Sequence, residues 1–123
     1  MKVAVIIYDG FDLRNFAEIY AFLHENFEPE ICAFKENVKD CFGVMIKAEI
    51  FSQSLIDYDF IVVCDGKSEN LAVDDIFLSW LRSANSAGKK ICFGRAKILC
   101  ENAKFSDFTH FENFDLGYKF VYT

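Results

Sequence analysis

The sequence predicts an α/β fold, a three-layer sandwich built on a mostly parallel sheet. Two patterns carry that prediction. Short apolar runs alternate with amphipathic stretches, which is the signature of successive βαβ units. Three expected strands end at the turns Asp9-Gly10, Asp65-Gly66 and Cys92-Phe93-Gly94. In an open parallel sheet, sites form outside the carboxyl ends of the strands, so the three turns should share one edge.

The elements follow in order. Val3 to Tyr8 is continuously apolar, as expected of a strand covered on both faces. From Leu13 to Glu25, Phe16, Ile19, Tyr20 and Leu23 fall at helical spacing. Pro29 leads into a second strand, Glu30 to Phe34. Asn37 to Gly43 reads as a polar turn, and Val44 to Phe51 as a half-exposed strand or hairpin arm. Phe60 to Cys64 is the next buried strand. Asp74 to Ala87 is a helix with Ile76, Phe77, Trp80 and Leu81 on one face, stopped by Gly88. Lys90 to Cys92 is a short strand, and a helix from Gly94 to about Asn102 turns Ala96, Leu99 and Cys100 inward. Phe105, Phe108, Phe111 and Phe114 recur every third residue, and a last strand is expected at Tyr118 to Tyr122.

The chain has 123 residues, which is one domain, and fifteen phenylalanines supply a large core from few positions. No run approaches the roughly 18 apolar residues of a membrane span. The apolar N-terminus ends at Asp9-Gly10 without a small-residue cleavage site, so it reads as a strand and not as a signal peptide. A net charge of −6 with scattered lysines argues against a nucleic-acid surface. Five cysteines, at 32, 41, 64, 92 and 100, show neither paired nor zinc-type spacing. Free thiols in the cytoplasm are the simplest account, with no metal and no cofactor.

Cys92 is the chief chemical candidate. A cysteine at a sharp strand-to-helix turn presents its thiol outward and meets the positive end of the helix dipole, which favours thiolate. A serine nucleophile elbow solves the same problem. The competing reading is a small buried hydrophobe, as most free cysteines are. Asp9 reads as a turn residue, and Asp74-Asp75 as charge complementing a helix N-terminus.

The sequence resembles the ThiJ/PfpI family, within the class I glutamine amidotransferase-like superfamily, from Lys2 to about His110. The resemblance lies in Asp9-Gly10-Phe11-Asp12 and in Asp57-Tyr58-Asp59-Phe60-Ile61-Val62-Val63. It continues in Trp80-Leu81-Arg82-Ser83-Ala84, Gly88-Lys89, Ile91-Cys92-Phe93-Gly94 and Thr109-His110. It implies a flavodoxin-like sandwich with Cys92 as elbow nucleophile. Backbone N–H groups of Gly66 and Phe93 would line an oxyanion site, with His110 near the thiol. It also implies a homodimer, for which the phenylalanines from Phe105 to Phe114 are the expected contact.

Several positions depart from the family pattern. Asn15 stands where a first-helix carboxylate is usual, and Glu18 is the nearby carboxylate that could substitute. Cys64-Asp65-Gly66 replaces Pro-Gly-Gly and brings a negative charge near the turn. Phe93 stands where the peptidase-like branch has histidine. The chain also ends where the family continues, so the likeness is to a shortened member with a partly eroded site. Two functions follow as expectations. In one, Cys92 reacts with a small carbonyl or acyl substrate or with an oxidant, and Cys64 is a candidate resolving thiol if the two Cα atoms lie within about 7 Å. In the other, the domain is non-catalytic and serves dimerisation or small-ligand binding.

Overall fold

The computed structural model describes residues 1–117. The first half of the chain forms β1 (Val3–Ile6), α1 (Leu13–His24), β2 (Glu30–Ala33), β3 (Asn37–Lys39), β4 (Met45–Lys47) and β5 (Ile50–Phe51). The second half forms β6 (Phe60–Val63), α2 (Asp75–Arg82), β7 (Lys89–Phe93), α3 (Lys97–Asn102), β8 (Thr109–Phe111) and α4 (Phe114–Gly117). The strand expected at Tyr118 to Tyr122 lies outside the described residues.

Six strands form one sheet in the order β5-β2-β1-β6-β7-β8, and every neighbouring pair is parallel. The central strands β1 and β6 are wholly apolar and wholly buried, as helices on both faces require. From β1 the chain crosses to β2 on one side, and from β6 it crosses to β7 and then β8 on the other. Right-handed crossovers in opposite directions place their helices on opposite faces. Accordingly α2 packs with α3, while α1 packs with α4. The reversal falls between β1 and β6, and the Asp9-Gly10 and Asp65-Gly66 turns stand at the ends of those two strands.

Local chemistry sets the helix starts. The Asp12 carboxylate accepts the N–H groups of Arg14 and Asn15 to begin α1, and Asp74 does the same for Ile76 and Phe77 in α2. On α2 the buried side chains are Phe77, Leu78, Trp80 and Leu81. Ile76 was expected among them but is exposed, because one residue before Phe77 the helix has turned about 100° away from the sheet.

The segment from Asn37 to Phe51 also differs from expectation. Asn37–Lys39 is strand β3, paired antiparallel with β4 as a separate two-stranded ribbon. Val38 alone of its three residues is buried, too short an alternation to read as a strand. Asp40 holds the tip by accepting the N–H groups of Phe42 and Val44. Ala48 and Glu49 then divide the expected strand, and β5 joins the main sheet beside β2. The phenylalanine series is packing and not an open face: Phe105 is buried, and Phe108, Phe111 and Phe114 rest against the core. The Phe93 ring packs against those of Phe111 and Phe114, with centroids 6.1 and 6.4 Å away.

Candidate functional site

At the carboxyl edge, the loops after β1 and β6 are laid backbone to backbone. Asp12 N–H donates to Asp65 O at 2.7 Å and Lys67 N–H to Gly10 O at 2.9 Å, flanking a bridge between Phe11 and Gly66. A side chain at Gly66 would run into Gly10 O and the Phe11 Cα, so only glycine permits this approach. Asn15, in the first turn of α1, accepts the Asp65 N–H on Oδ1 at 2.8 Å.

The third turn ends β7. The residue with left-handed backbone there is Gly94, at φ +55°, and Cys92 lies two residues earlier inside the strand. Its side chain is fully enclosed, at 0% exposure. Phe93 is likewise within the ladder, opposite Phe111 on β8. The turn N–H that faces the edge belongs to Arg95, and the Asp65 carboxylate accepts it at 2.8 Å. Arg95 Nε donates to the same oxygen at 3.2 Å. His110 pairs with Cys92 across β7 and β8, and its Nε2 lies 2.8 Å from Gly94 O.

The edge thus gathers Asn15, Gly66, Asp65, Gly94, Arg95 and His110, with Cys92 directly beneath. A cleft of about 230 Å³ opens beside them, lined by Arg14, Asn15, Glu18, Asp65, Glu112 and Phe114 among others. Glu18 therefore reaches the same cleft as Asn15. Among the described residues no group of three or more histidine, cysteine or acidic side chains could hold a metal, and no helix is long and apolar enough to cross a membrane.

The thiols divide by face. Val63 on β6 is the partner of Cys92 on β7, so Cys64, one residue on, directs its side chain to the opposite face. Cys64 is buried, and its thiol is pushed up by that burial and by the nearby carboxylates Asp65 and Asp12. The register therefore does not bring Cys64 and Cys92 together. Cys92 instead meets Cys100 on α3. The neighbouring Cys92 thiol, and then burial, hold the Cys100 thiol well above its ordinary range.

Two features escaped the sequence: the Asp65–Arg95 contact and the Cys92–Cys100 pair. Asp65 and Arg95 are thirty residues apart, and only the β6–β7 pairing makes them neighbours. The Cys100 signal was present but weak, an inward-facing cysteine on the helix that folds back over β7.

The sequence matches no family model and no curated protein. Solved structures do match. A ThiJ/PfpI family protein from Pseudomonas syringae superposes with a TM-score of 0.74 at 15% identity, covering 83% of this chain and 45% of that one. DJ-1 from Schizosaccharomyces pombe gives 0.68 at 13%, covering 87% and 65%. Oxidised DJ-1 from Toxoplasma gondii gives 0.69 at 18%, covering 85% and 61%. The chain has the DJ-1/ThiJ/PfpI fold. It spans less than two thirds of the length of each of these structures, and at such identities the likeness concerns the fold alone.

Proposed function

We propose that this ThiJ/PfpI-fold domain uses Cys92 as a redox-responsive thiol. The observation that carries the reading is the enclosure of Cys92 directly beneath the Gly94 turn, at the edge where the fold gathers its polar groups. An enclosed sulfur leaves no room beside it for an acyl or carbonyl substrate. Hydrogen peroxide is barely larger than water and needs only a local opening. Asp65 favours the same choice, because its carboxylate already accepts the Arg95 N–H that an oxyanion would need. In this reading His110 holds the turn through Gly94 O instead of relaying a proton, and Asn15 positions Asp65. The backbone N–H groups of Gly66 and Phe93 then have no oxyanion to bind. That a protein of this fold, Toxoplasma gondii DJ-1, is known in an oxidised form supports the reading.

The test is substoichiometric hydrogen peroxide followed by peptide mapping. Oxidation should appear at Cys92 and vanish from that position in Cys92→Ser. Oxidation confined to Cys41, with Cys92 fully reduced, overturns the reading.

We also infer that the domain is a homodimer whose contact includes the β3–β4 ribbon. Phe42, Val44 and Met45 stand exposed together at its tip, an apolar group that a symmetric copy would cover. In sedimentation equilibrium at high micromolar concentration the wild type should be dimeric, and Phe42→Asp combined with Met45→Asp monomeric. A monomeric wild type overturns it. All five cysteines are free, which supports a reducing, cytoplasmic setting.

A further inference from the structure

We propose that the cavity between the end of β2 and the start of α2 binds a single-ring aromatic amine. The inference goes beyond the redox reading and does not depend on it. The cavity lies on the α2 side of the sheet, at the carboxyl ends of β1 and β2, and β2 is three strands from the β7 that carries Cys92. Its inner wall is apolar: Tyr8, Val38 and Phe77 are buried there, and Phe34 and Leu71 are half-buried. The Tyr8 hydroxyl already donates to Cys64 O at 2.5 Å, so Tyr8 offers the cavity its ring.

These walls are fixed before any ligand arrives. Phe77 meets Tyr8 edge to face with centroids 6.3 Å apart, and Trp80 packs against both Phe77 at 5.7 Å and Phe34 at 5.9 Å. A preformed wall spares a ligand the cost of ordering side chains. The volume is about 190 Å³. An apolar cavity of about 150 Å³ accepts benzene, so one six-membered ring fits here with a short arm, and a second ring does not.

Charge selects the arm. Two carboxylates, Asp9 and Asp74, and one ammonium, Lys35, line the rim. Asp9 is occupied: Oδ2 pairs with Lys35, and Oδ1 accepts the Lys39 N–H at 3.1 Å. Asp74 caps α2 through Oδ1 alone, which accepts the N–H groups of Ile76 and Phe77 at 3.0 and 3.1 Å. Its Oδ2 carries neither bond and is left for a ligand ammonium. A ligand carboxylate would instead meet two like charges and a lysine already held by Asp9. The molecule that fits is a phenyl ring on a short protonated amine, with the ring against Tyr8, Phe34 and Phe77 and the ammonium on Asp74.

Trp80 is the sole tryptophan of the chain and touches two of the walls, so its emission reads the cavity. Phenethylamine is the probe, and 3-phenylpropionate, of similar size and opposite charge, is the control. Titrated into the full chain at neutral pH, phenethylamine should change Trp80 emission to saturation, and calorimetry should return the same constant. The carboxylate should bind at least about tenfold more weakly. Asp74→Asn keeps the cap, since Asn caps a helix as well as Asp does, and should weaken phenethylamine about tenfold. Leu71→Phe fills the cavity and should abolish the response. No saturation by either method, equal affinity for the two probes, or undiminished binding in either variant overturns the site.

Discussion

The Asp65 carboxylate occupies the space that a side chain on Gly94 would need, and it holds there the N–H of the next residue, Arg95. One contact therefore ties the end of β6 to the start of the helix that covers Cys92. Gly94 also carries a left-handed backbone at φ +55°. Gly94→Ala should lose about 1–2 kcal/mol from the backbone alone, and further stability from the collision with Asp65. In an Asp65→Ala background the collision is gone and only the backbone cost remains. Urea denaturation of the two single variants and the double should show coupling of about 1 kcal/mol or more. Strict additivity would mean that Asp65 does not fill this space.

Much of the fold was legible because its central strands are continuous apolar runs and its helices carry regular stripes. Val3 to Tyr8 and Phe60 to Cys64 announce buried strands whatever their neighbours are. Of the ribbon, the β4 arm was legible within Val44 to Phe51, but β3 was not, since a three-residue strand with one buried residue between two exposed ones leaves no pattern. The three turns do follow adjacent parallel strands, β1, β6 and β7, and so share one edge as the sequence suggested. It placed the sharp bend at Cys92, whereas the left-handed residue is Gly94. Nothing local distinguishes these positions; the extension of β7 through Phe93, fixed by pairing with Phe111, decides it.

Lys90 shows how the amino end of β7 is anchored. Its ammonium is nearly enclosed and donates to Asn85 O at 2.7 Å and Ala87 O at 3.2 Å, with Asp107 at 3.2 Å. Lys90→Met removes the donor and leaves two carbonyls unpaired, a loss of about 2–4 kcal/mol. Asp107 is 90% exposed, so Asp107→Asn should change stability by less than about 1 kcal/mol. Equal losses in the two variants, measured by urea unfolding, would show that the ion pair and not the carbonyl contacts anchors Lys90.

Thiol accessibility gives a direct check on the arrangement of the cysteines. Cys41 is half-buried, whereas Cys32, Cys64, Cys92 and Cys100 are all enclosed. Pulsed iodoacetamide on the native protein should label Cys41 first by a wide margin, and the other four only as the chain opens. In high urea all five should react at similar rates. Native labelling of Cys92 as fast as Cys41 would place its sulfur at the surface and remove the basis for oxidant selectivity.

The alkaline limb of stability should report the enclosed thiols. Burial, the largest influence, pushes the Cys32 thiol from its ordinary value near 9 up to about 11; its S–H meets Tyr58 Oη at 3.3 Å, and that hydroxyl donates to Glu30 Oε1 at 2.9 Å. The folded state keeps this proton where the unfolded chain releases it. The contribution is therefore fully present below about pH 9, falls as pH rises, and is exhausted once pH passes the folded value of about 11. Each such thiol steepens the decline by about 1.4 kcal/mol per pH unit in that window. Cys64 and Cys100 are raised as well, so the wild type should decline through the contributions of all three. Cys32→Ala removes one contribution, and urea midpoints from pH 8 to 11 should show a shallower slope by about that amount, whatever the variant's starting stability. An unchanged slope would mean that Cys32 titrates alike in the folded and unfolded chain, and that burial does not hold its proton.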